Sequence, residues 1–199
     1  MKIDFWIDPI CPWCWLTSRW LVRDVLPNRD IEVNWRPISL LFKNNPPEDS
    51  EYFGPVNMSL GLLRIMTQLE NQADVNKFYT AAGELIHDEG NGADITAEQV
   101  LTKAGLDVSL AEKANDESLD AEIRSEMDAG LALVGNDVGT PIIAFEHEGS
   151  QIGIFGPVIS KVPDPEQSLE MWDAMVTISK MDSFWELKRT RTQDPNFDY

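Results

Sequence analysis

The sequence predicts an α/β fold that is interrupted by an all-helical segment, and three observations support this class. Residues 3–7 form an apolar run and residues 31–35 alternate apolar and polar side chains, as β-strands do. The residues between these two runs have helical spacing. A predicted hairpin with strands at 142–145 and 152–155 follows the helical segment. The element order is therefore strand, helix, strand, helical block, hairpin and final helix.

This order divides the chain into three parts. Residues 1–50 and 137–199 are expected to form the two halves of the α/β unit, and residues 51–136 are expected to form the helical insertion. Pro165 is predicted to begin the final helix, because proline is favoured in the first turn. An apolar stripe predicts the last helix of the insertion and is more often core than cofactor site. Its members are Leu119, Ile123, Met127, Leu131 and Val134.

Two pairs within the insertion resemble capping boxes, which begin helices. Thr96 is followed three residues later by Gln99, and Ser109 is followed by Glu112. We expect a helix to begin at each pair.

The composition excludes several classes of partner. The chain has 199 residues, 16 basic against 34 acidic side chains and a net charge of −18. That charge argues against nucleic acid and anionic membrane surfaces as partners. No segment approaches the roughly 18 apolar residues of a membrane span, and the first apolar run is too short for a signal peptide. We therefore expect a cytoplasmic protein, a compartment in which thiols are kept reduced.

The only two cysteines, Cys11 and Cys14, flank Pro12 and Trp13 directly after the first predicted strand. A CxxC motif that opens a helix is typical of a redox site. One sulfur meets the positive end of the helix dipole, and the second lies close enough to close a disulfide. Cys11 is therefore expected to be the nucleophile, with a pKa below that of Cys14 and near or below neutrality.

Other types of site find less support in the sequence. A zinc site built on the cysteines would need both His87 and His147, which lack the spacing of paired ligands. Inert buried thiols are a further alternative. The chain contains no G-x-G-x-x-G, no Walker loop and no G-x-S-x-G motif. We therefore expect no metal, no flavin and no NAD site.

The predicted elements follow the order of a thioredoxin fold with an inserted all-helical subdomain, and the chain resembles the DsbA-like branch of that superfamily. Over essentially its whole length it is further similar to the actinobacterial mycothiol-dependent nitroreductase family. The matching motifs are FWIDP at 5–9 before CPWC, TSRW at 17–20, ISL at 38–40, IH at 86–87 with GN at 90–91, VGTP at 138–141, FGPV at 155–158 and a tail at 184–192 that includes ELKRTRT.

The resemblance implies a cytosolic thiol-disulfide oxidoreductase that takes electrons from mycothiol, with nitro-aromatic compounds as substrates of some members. Its partners would be a low-molecular-weight thiol, a small electrophile or disulfide, and a mycothiol-linked reducing system. Cys11 matches the nucleophile of the family, Cys14 its resolving partner, and Pro141 a cis-proline that faces them. The alternative for Pro141 is an ordinary trans proline at the start of a strand.

Further residues are expected to bind substrate: Pro12, Trp13, Asn44, His87, Asn91 and Thr140. Trp13 could instead only shield the sulfurs, and His87 could be a satisfied histidine at a helix end. A basic cluster at Lys188, Arg189 and Arg191 either steers an anionic ligand or complements a helix end.

Two other functions remain open from the sequence. One is a general protein-disulfide reductase or isomerase of DsbA type. The other is a non-catalytic binding module that uses the apolar surface of the helical insertion. Turnover of scrambled protein disulfides would indicate the first of these functions. The absence of any turnover would indicate the second, and turnover of small electrophiles would indicate small-molecule reduction.

Overall fold

The sheet has four strands in the order β2, β1, β3, β4, in a computed structural model that describes all 199 residues. Strand β1 is parallel to β2 and antiparallel to β3, which pairs antiparallel with β4. The strands are β1 at Lys2–Ile7, β2 at Glu32–Pro37, β3 at Ile142–His147 and β4 at Ser150–Phe155. The predicted parallel unit and the predicted hairpin are both confirmed.

Seven α-helices surround the sheet. They are α1 at Pro12–Trp20, α2 at Leu40–Asn44, α3 at Phe53–Thr67, α4 at Gln72–Gly83, α5 at Ala97–Ala104, α6 at Asp120–Val134 and α7 at Pro165–Ser179. Residues 53–134 contain helices and turns but no strand. None of the helices combines the length and the hydropathy that crossing a membrane requires.

One of the two predicted capping boxes is confirmed. The Thr96 hydroxyl accepts the N–H of Gln99, whose side chain in turn accepts the N–H of Thr96 at the start of α5. The prediction for the second pair was wrong, because Asp107 accepts the N–H of Ser109 and begins a 3₁₀-helix at Val108–Asn115. Aspartate and serine are about equally good caps, and here the upstream aspartate takes the position.

The core occupies both faces of the sheet. A large cluster on one face contains Trp15, and a smaller cluster on the other contains Trp6. Three members of the predicted stripe in α6 are buried, namely Ile123, Met127 and Leu131, so the stripe is core as expected. Because Phe5 and Trp6 of the central strand are buried in succession, β1 is covered on both sides and fixes the start of α1 within the core.

Candidate active site

The cysteine pair lies where β1 ends and α1 begins. Cys11 is the N-cap of α1 and only 5% exposed, whereas Cys14 in the first turn is fully buried. Both thiols are free. The backbone N–H of Cys11 donates to the Asp8 carbonyl at 3.1 Å, and its carbonyl accepts from Trp15 at 3.0 Å. These two bonds hold the first sulfur at the N-terminus of the helix.

The loop before β3 packs against both sulfurs. The Cys11 thiol donates to the Thr140 carbonyl at 3.8 Å, and the Cys14 thiol donates to the Trp6 carbonyl at the same distance. The Thr140 hydroxyl also donates to that Trp6 carbonyl, at 2.8 Å. The peptide bond between Thr140 and Pro141 is cis. The structure thus brings together four of the predicted site residues: the two cysteines, Thr140 and Pro141.

The acidic thiol expected at Cys11 is not found in this geometry. Burial has the largest effect and raises the pKa of Cys11, and the neighbouring Cys14 sulfur and Asp8 carboxylate raise it further. Burial also raises the pKa of Cys14, to about 11. A helix terminus is worth about 0.3–1 kcal/mol, which is less than the solvation that a buried thiolate loses. The expectation of a near-neutral pKa was therefore wrong for the buried thiol.

Asp8 is a fully buried carboxylate that was not predicted as a site residue. It accepts the backbone N–H of Ile10 at 3.1 Å, that of Leu40 at 2.6 Å, and the hydroxyl of Ser59. Burial raises the pKa of Asp8 to about 6, although these donors act in the opposite direction. This one side chain ties the loop before α1 to α2 and α3 beside the cysteines. Its position, three residues before the CxxC motif, was the one feature of the sequence that could have indicated a role in the site.

A cavity of about 410 Å³ opens beside Cys11. Its lining is Ile10, Cys11, Pro12, Leu40, Asn44, Pro46, Tyr52, Pro55 and Val56. Apolar walls with a few polar groups, here a thiol, an amide and a phenol, are typical of small-molecule sites. The structure therefore places Pro12 and Asn44 beside Cys11, as expected. Tyr52, an exposed aromatic residue in a turn before α3, was not predicted as a site residue.

Asp8 also determines the geometry of this cavity. Both of its backbone donors, Ile10 and Leu40, belong to the cavity wall. Its third partner, Ser59, lies in α3, which also supplies Val56 to the lining. Asp8, which directly follows β1, therefore anchors three parts of the cavity wall.

Trp13 lies outside this lining, under the C-terminal segment. The Arg191 guanidinium lies 5.0 Å from the centroid of its ring, a cation–π contact. Further along, the backbone N–H of Asn196 donates to the Ser160 carbonyl at 2.7 Å. One member of the predicted basic cluster thus contacts the CPWC motif directly.

His87 is not among the residues that line the cavity. Its ring stacks on Trp15 with 5.9 Å between centroids and lies 5.3 Å from that of Phe197. Its Nε2–H donates to the Pro9 carbonyl at 2.9 Å. Burial lowers the pKa of His87 to about 4, so the ring is neutral at pH 7. His87 therefore supports the loop that precedes Cys11.

Asn91 is exposed and is also absent from the lining. Its side-chain amide donates to a backbone carbonyl six residues earlier at 3.0 Å. This bond closes the turn that follows the helical residues Glu84–Asp88. The structure places Asn91 in a turn rather than in the cavity.

Comparison with known proteins agrees with this geometry. A family model described as Rv2466c-like, mycothiol-dependent nitroreductase Rv2466c, matches residues 10–189. The Mycobacterium tuberculosis protein Rv2286c, which is uncharacterised, is 26% identical over 96% of this chain and 82% of its own length.

Solved structures show the same fold at low sequence identity. The cytosolic disulfide reductase DsbM from Pseudomonas aeruginosa, with GSH, has a TM-score of 0.60 at 12% identity, over 89% of this chain and 100% of its own. A probable DsbA oxidoreductase from Streptomyces coelicolor has a TM-score of 0.54 at 15% identity, over 96% of this chain and 94% of its own. The predicted DsbA-like thioredoxin fold is confirmed. Because the family model spans most of the sequence, the chain belongs to the Rv2466c-like family and is a thiol-dependent oxidoreductase.

Proposed function

We propose that this protein takes electrons from mycothiol through its CPWC pair and passes them to nitro-aromatic or other small oxidised substrates in the cytoplasm. The observation that carries the proposal is the unequal access of the two sulfurs. Cys11 lines the open cavity, whereas Cys14 is fully buried and absent from the lining. A substrate can therefore meet only the first thiol, and the second resolves the intermediate from inside the protein.

The chemistry follows from this arrangement. Oxidation of the Cys11–Cys14 dithiol to a disulfide releases two electrons and two protons. A nitro group that receives both becomes a nitroso group and loses one oxygen as water. Two mycothiol molecules then reduce the enzyme disulfide by thiol–disulfide exchange and leave as mycothiol disulfide. A mycothiol-linked reducing system returns that product to the thiol.

The cavity suits a small substrate better than a protein chain. Its volume lies near the lower end of the usual range for small-molecule sites. The apolar walls can pack on an aromatic ring. The Asn44 amide and the Tyr52 hydroxyl can bond the oxygens of a nitro group or the hydroxyls of a sugar-bearing thiol. The description of the matching family as mycothiol-dependent supports mycothiol as the electron donor.

The first prediction concerns the donor. Mycothiol is expected to support turnover of a nitro-aromatic substrate at least about tenfold better than glutathione, a difference that one or two hydrogen bonds can supply. NADPH alone is expected to support none. Steady-state rates with each donor measure this, with Cys11→Ser as the blank.

Three results would contradict the proposal. Equal rates with glutathione would contradict mycothiol as the specific donor. Activity that survives Cys11→Ser would contradict the role of Cys11 in the mechanism. Turnover of scrambled protein disulfides, without turnover of small electrophiles, would indicate a protein-disulfide reductase instead.

The second prediction concerns the cavity wall. Asn44→Ala is expected to lower kcat/KM for the small substrate about fivefold, because a lost hydrogen bond is worth about 1 kcal/mol. Asn57→Ala is the matched control, since Asn57 is exposed on α3 and outside the cavity lining. If both variants lose the same activity, Asn44 has no specific role in binding.

A further inference from the structure

The helical insertion reaches the buried sulfur of Cys14 through one phenol. The Tyr79 hydroxyl donates a hydrogen bond to the Cys14 sulfur at 3.6 Å. Both side chains are fully buried. Tyr79 lies in α4, 65 residues from the cysteine, so the contact depends on how the insertion docks on the sheet.

The ring of Tyr79 is held between aromatic neighbours. It meets Trp15 edge-on with 5.7 Å between centroids, and it lies at the same distance from Trp35. Such contacts fix the ring and aim the hydroxyl, whatever the protonation state of the sulfur. The phenylalanine ring would fill the same space without the hydroxyl.

The groups around Cys14 favour different protonation states. The Trp6 carbonyl accepts from the Cys14 thiol and so favours the protonated form. The Tyr79 hydroxyl donates, and its bond strengthens when the sulfur becomes a thiolate. Among charged groups, Asp8 raises the pKa of Cys14, whereas Arg19 favours ionisation of the Tyr79 phenol. Burial deprives the thiolate of water, so fixed hydrogen-bond donors must stabilise it. The Thr140 and Tyr79 side chains both lower the pKa of Cys14 in this way.

We infer that Tyr79 is a positioning residue that stabilises the Cys14 thiolate during disulfide exchange. In the oxidising direction Cys14 loses its proton to solvent, and its thiolate attacks the Cys11 sulfur of a mixed disulfide. The bond between Cys11 and the substrate sulfur breaks, and that sulfur leaves as a thiolate. In the reducing direction a donor thiolate attacks Cys11 and Cys14 itself leaves as the thiolate. The inference rests on the proposed exchange at Cys11.

The first test is a titration of Cys14 alone. In a Cys11→Ser background, the ultraviolet absorbance of the thiolate is followed against pH with and without Tyr79→Phe. The loss of a hydrogen bond to a charged group is expected to raise the pKa of Cys14 by about one unit, which is about 1.4 kcal/mol. This readout requires neither mycothiol nor a nitro-aromatic substrate, so it stands apart from the donor assay.

The second test separates the two steps of exchange. An aromatic disulfide reagent such as Ellman's reagent releases one coloured thiolate when Cys11 attacks it and a second when Cys14 resolves the mixed disulfide. Tyr79→Phe is expected to slow the second release about three- to fourfold. The thiolate fraction falls about tenfold per pKa unit, while nucleophilicity rises by about threefold. The first release is expected to be unchanged.

Tyr199→Phe is the matched control, because it removes a phenol that bonds Asp88 and contacts neither sulfur. An unchanged Cys14 pKa in Tyr79→Phe would overturn the inference, and so would an equal shift in the control. Equal slowing of both releases would also overturn it, since that result indicates a general structural defect.

If Tyr79→Phe does not fold, 3-fluorotyrosine incorporated in its place keeps the packing and makes the phenol a stronger donor. The Cys14 pKa is then expected to fall, and a value that stays the same or rises would overturn the inference.

Discussion

Replacing Gly83 with alanine is expected to lower the free energy of unfolding by about 3 kcal/mol. A Cβ atom at this position would lie 2.2 Å from two ring atoms of Trp15. That ring cannot move aside, because its Nε1–H donates to Asp88 at 2.9 Å and the Arg19 guanidinium lies 4.0 Å from its centroid. Urea unfolding of the variant and of the wild type measures the difference.

Gly54→Ala is the control for this prediction. Gly54 is also helical, but an added Cβ would meet nothing within 4 Å. Alanine is the better helix former, so this variant is expected to be about 0.5–1 kcal/mol more stable. A similar effect of the two substitutions, in either direction, would show that the close approach of Trp15 does not decide the outcome.

The stability of the Asp8→Asn variant is expected to fall by about 2 kcal/mol, relative to the wild type, as the pH decreases from 6.5 to 4. Folding raises the pKa of Asp8 from 3.8 to about 6, so its protonation stabilises the folded protein on acidification. Folding lowers the pKa of His87 from 6.5 to about 4, so its protonation destabilises the folded protein over a similar range. Each shift of about two units corresponds to about 3 kcal/mol, and in the wild type the two effects nearly cancel.

The Asp8→Asn variant loses one side of this balance. Asparagine cannot ionise, so the His87 effect is no longer offset. The substitution also weakens the hydrogen bond to Leu40, which lowers the stability equally at every pH. This loss therefore does not change how stability depends on pH. His87→Gln is expected to show the opposite trend and to gain stability on acidification. Urea unfolding across the pH range measures all three proteins, and parallel profiles would contradict the balance.

The local elements of the fold could be predicted because their signals are local. The strand before CPWC, the helix that opens at Pro12 and the hairpin at 142–155 all depend on neighbouring residues. The cysteine pair itself is also a local motif. Asp107 shows the limit of that approach, since this equally good cap two residues upstream of Ser109 took the place of the predicted box.

The rest of the site depends on contacts between distant parts of the chain. Ser59 reaches Asp8 across 51 residues, and Tyr79 reaches Cys14 across 65. Neither pairing has a signature in spacing or hydropathy. The prediction of a low pKa for Cys11 was wrong for the same reason. The position of Cys11 at the start of a helix can be read from the sequence, whereas its depth of burial cannot. His87 likewise packs against Phe197, more than a hundred residues away.

The two strands beside the cysteine pair, β1 and β3, are paired although the whole helical insertion separates them along the chain. The entropy of closing such a loop grows only with the logarithm of its length, so doubling the insertion costs roughly 0.6 kcal/mol. Tyr52, Pro55 and Val56 belong to this loop and form one wall of the cavity. Evolution can therefore lengthen or remodel that wall, and with it the range of accepted substrates, while the cysteines and the sheet beneath them stay the same.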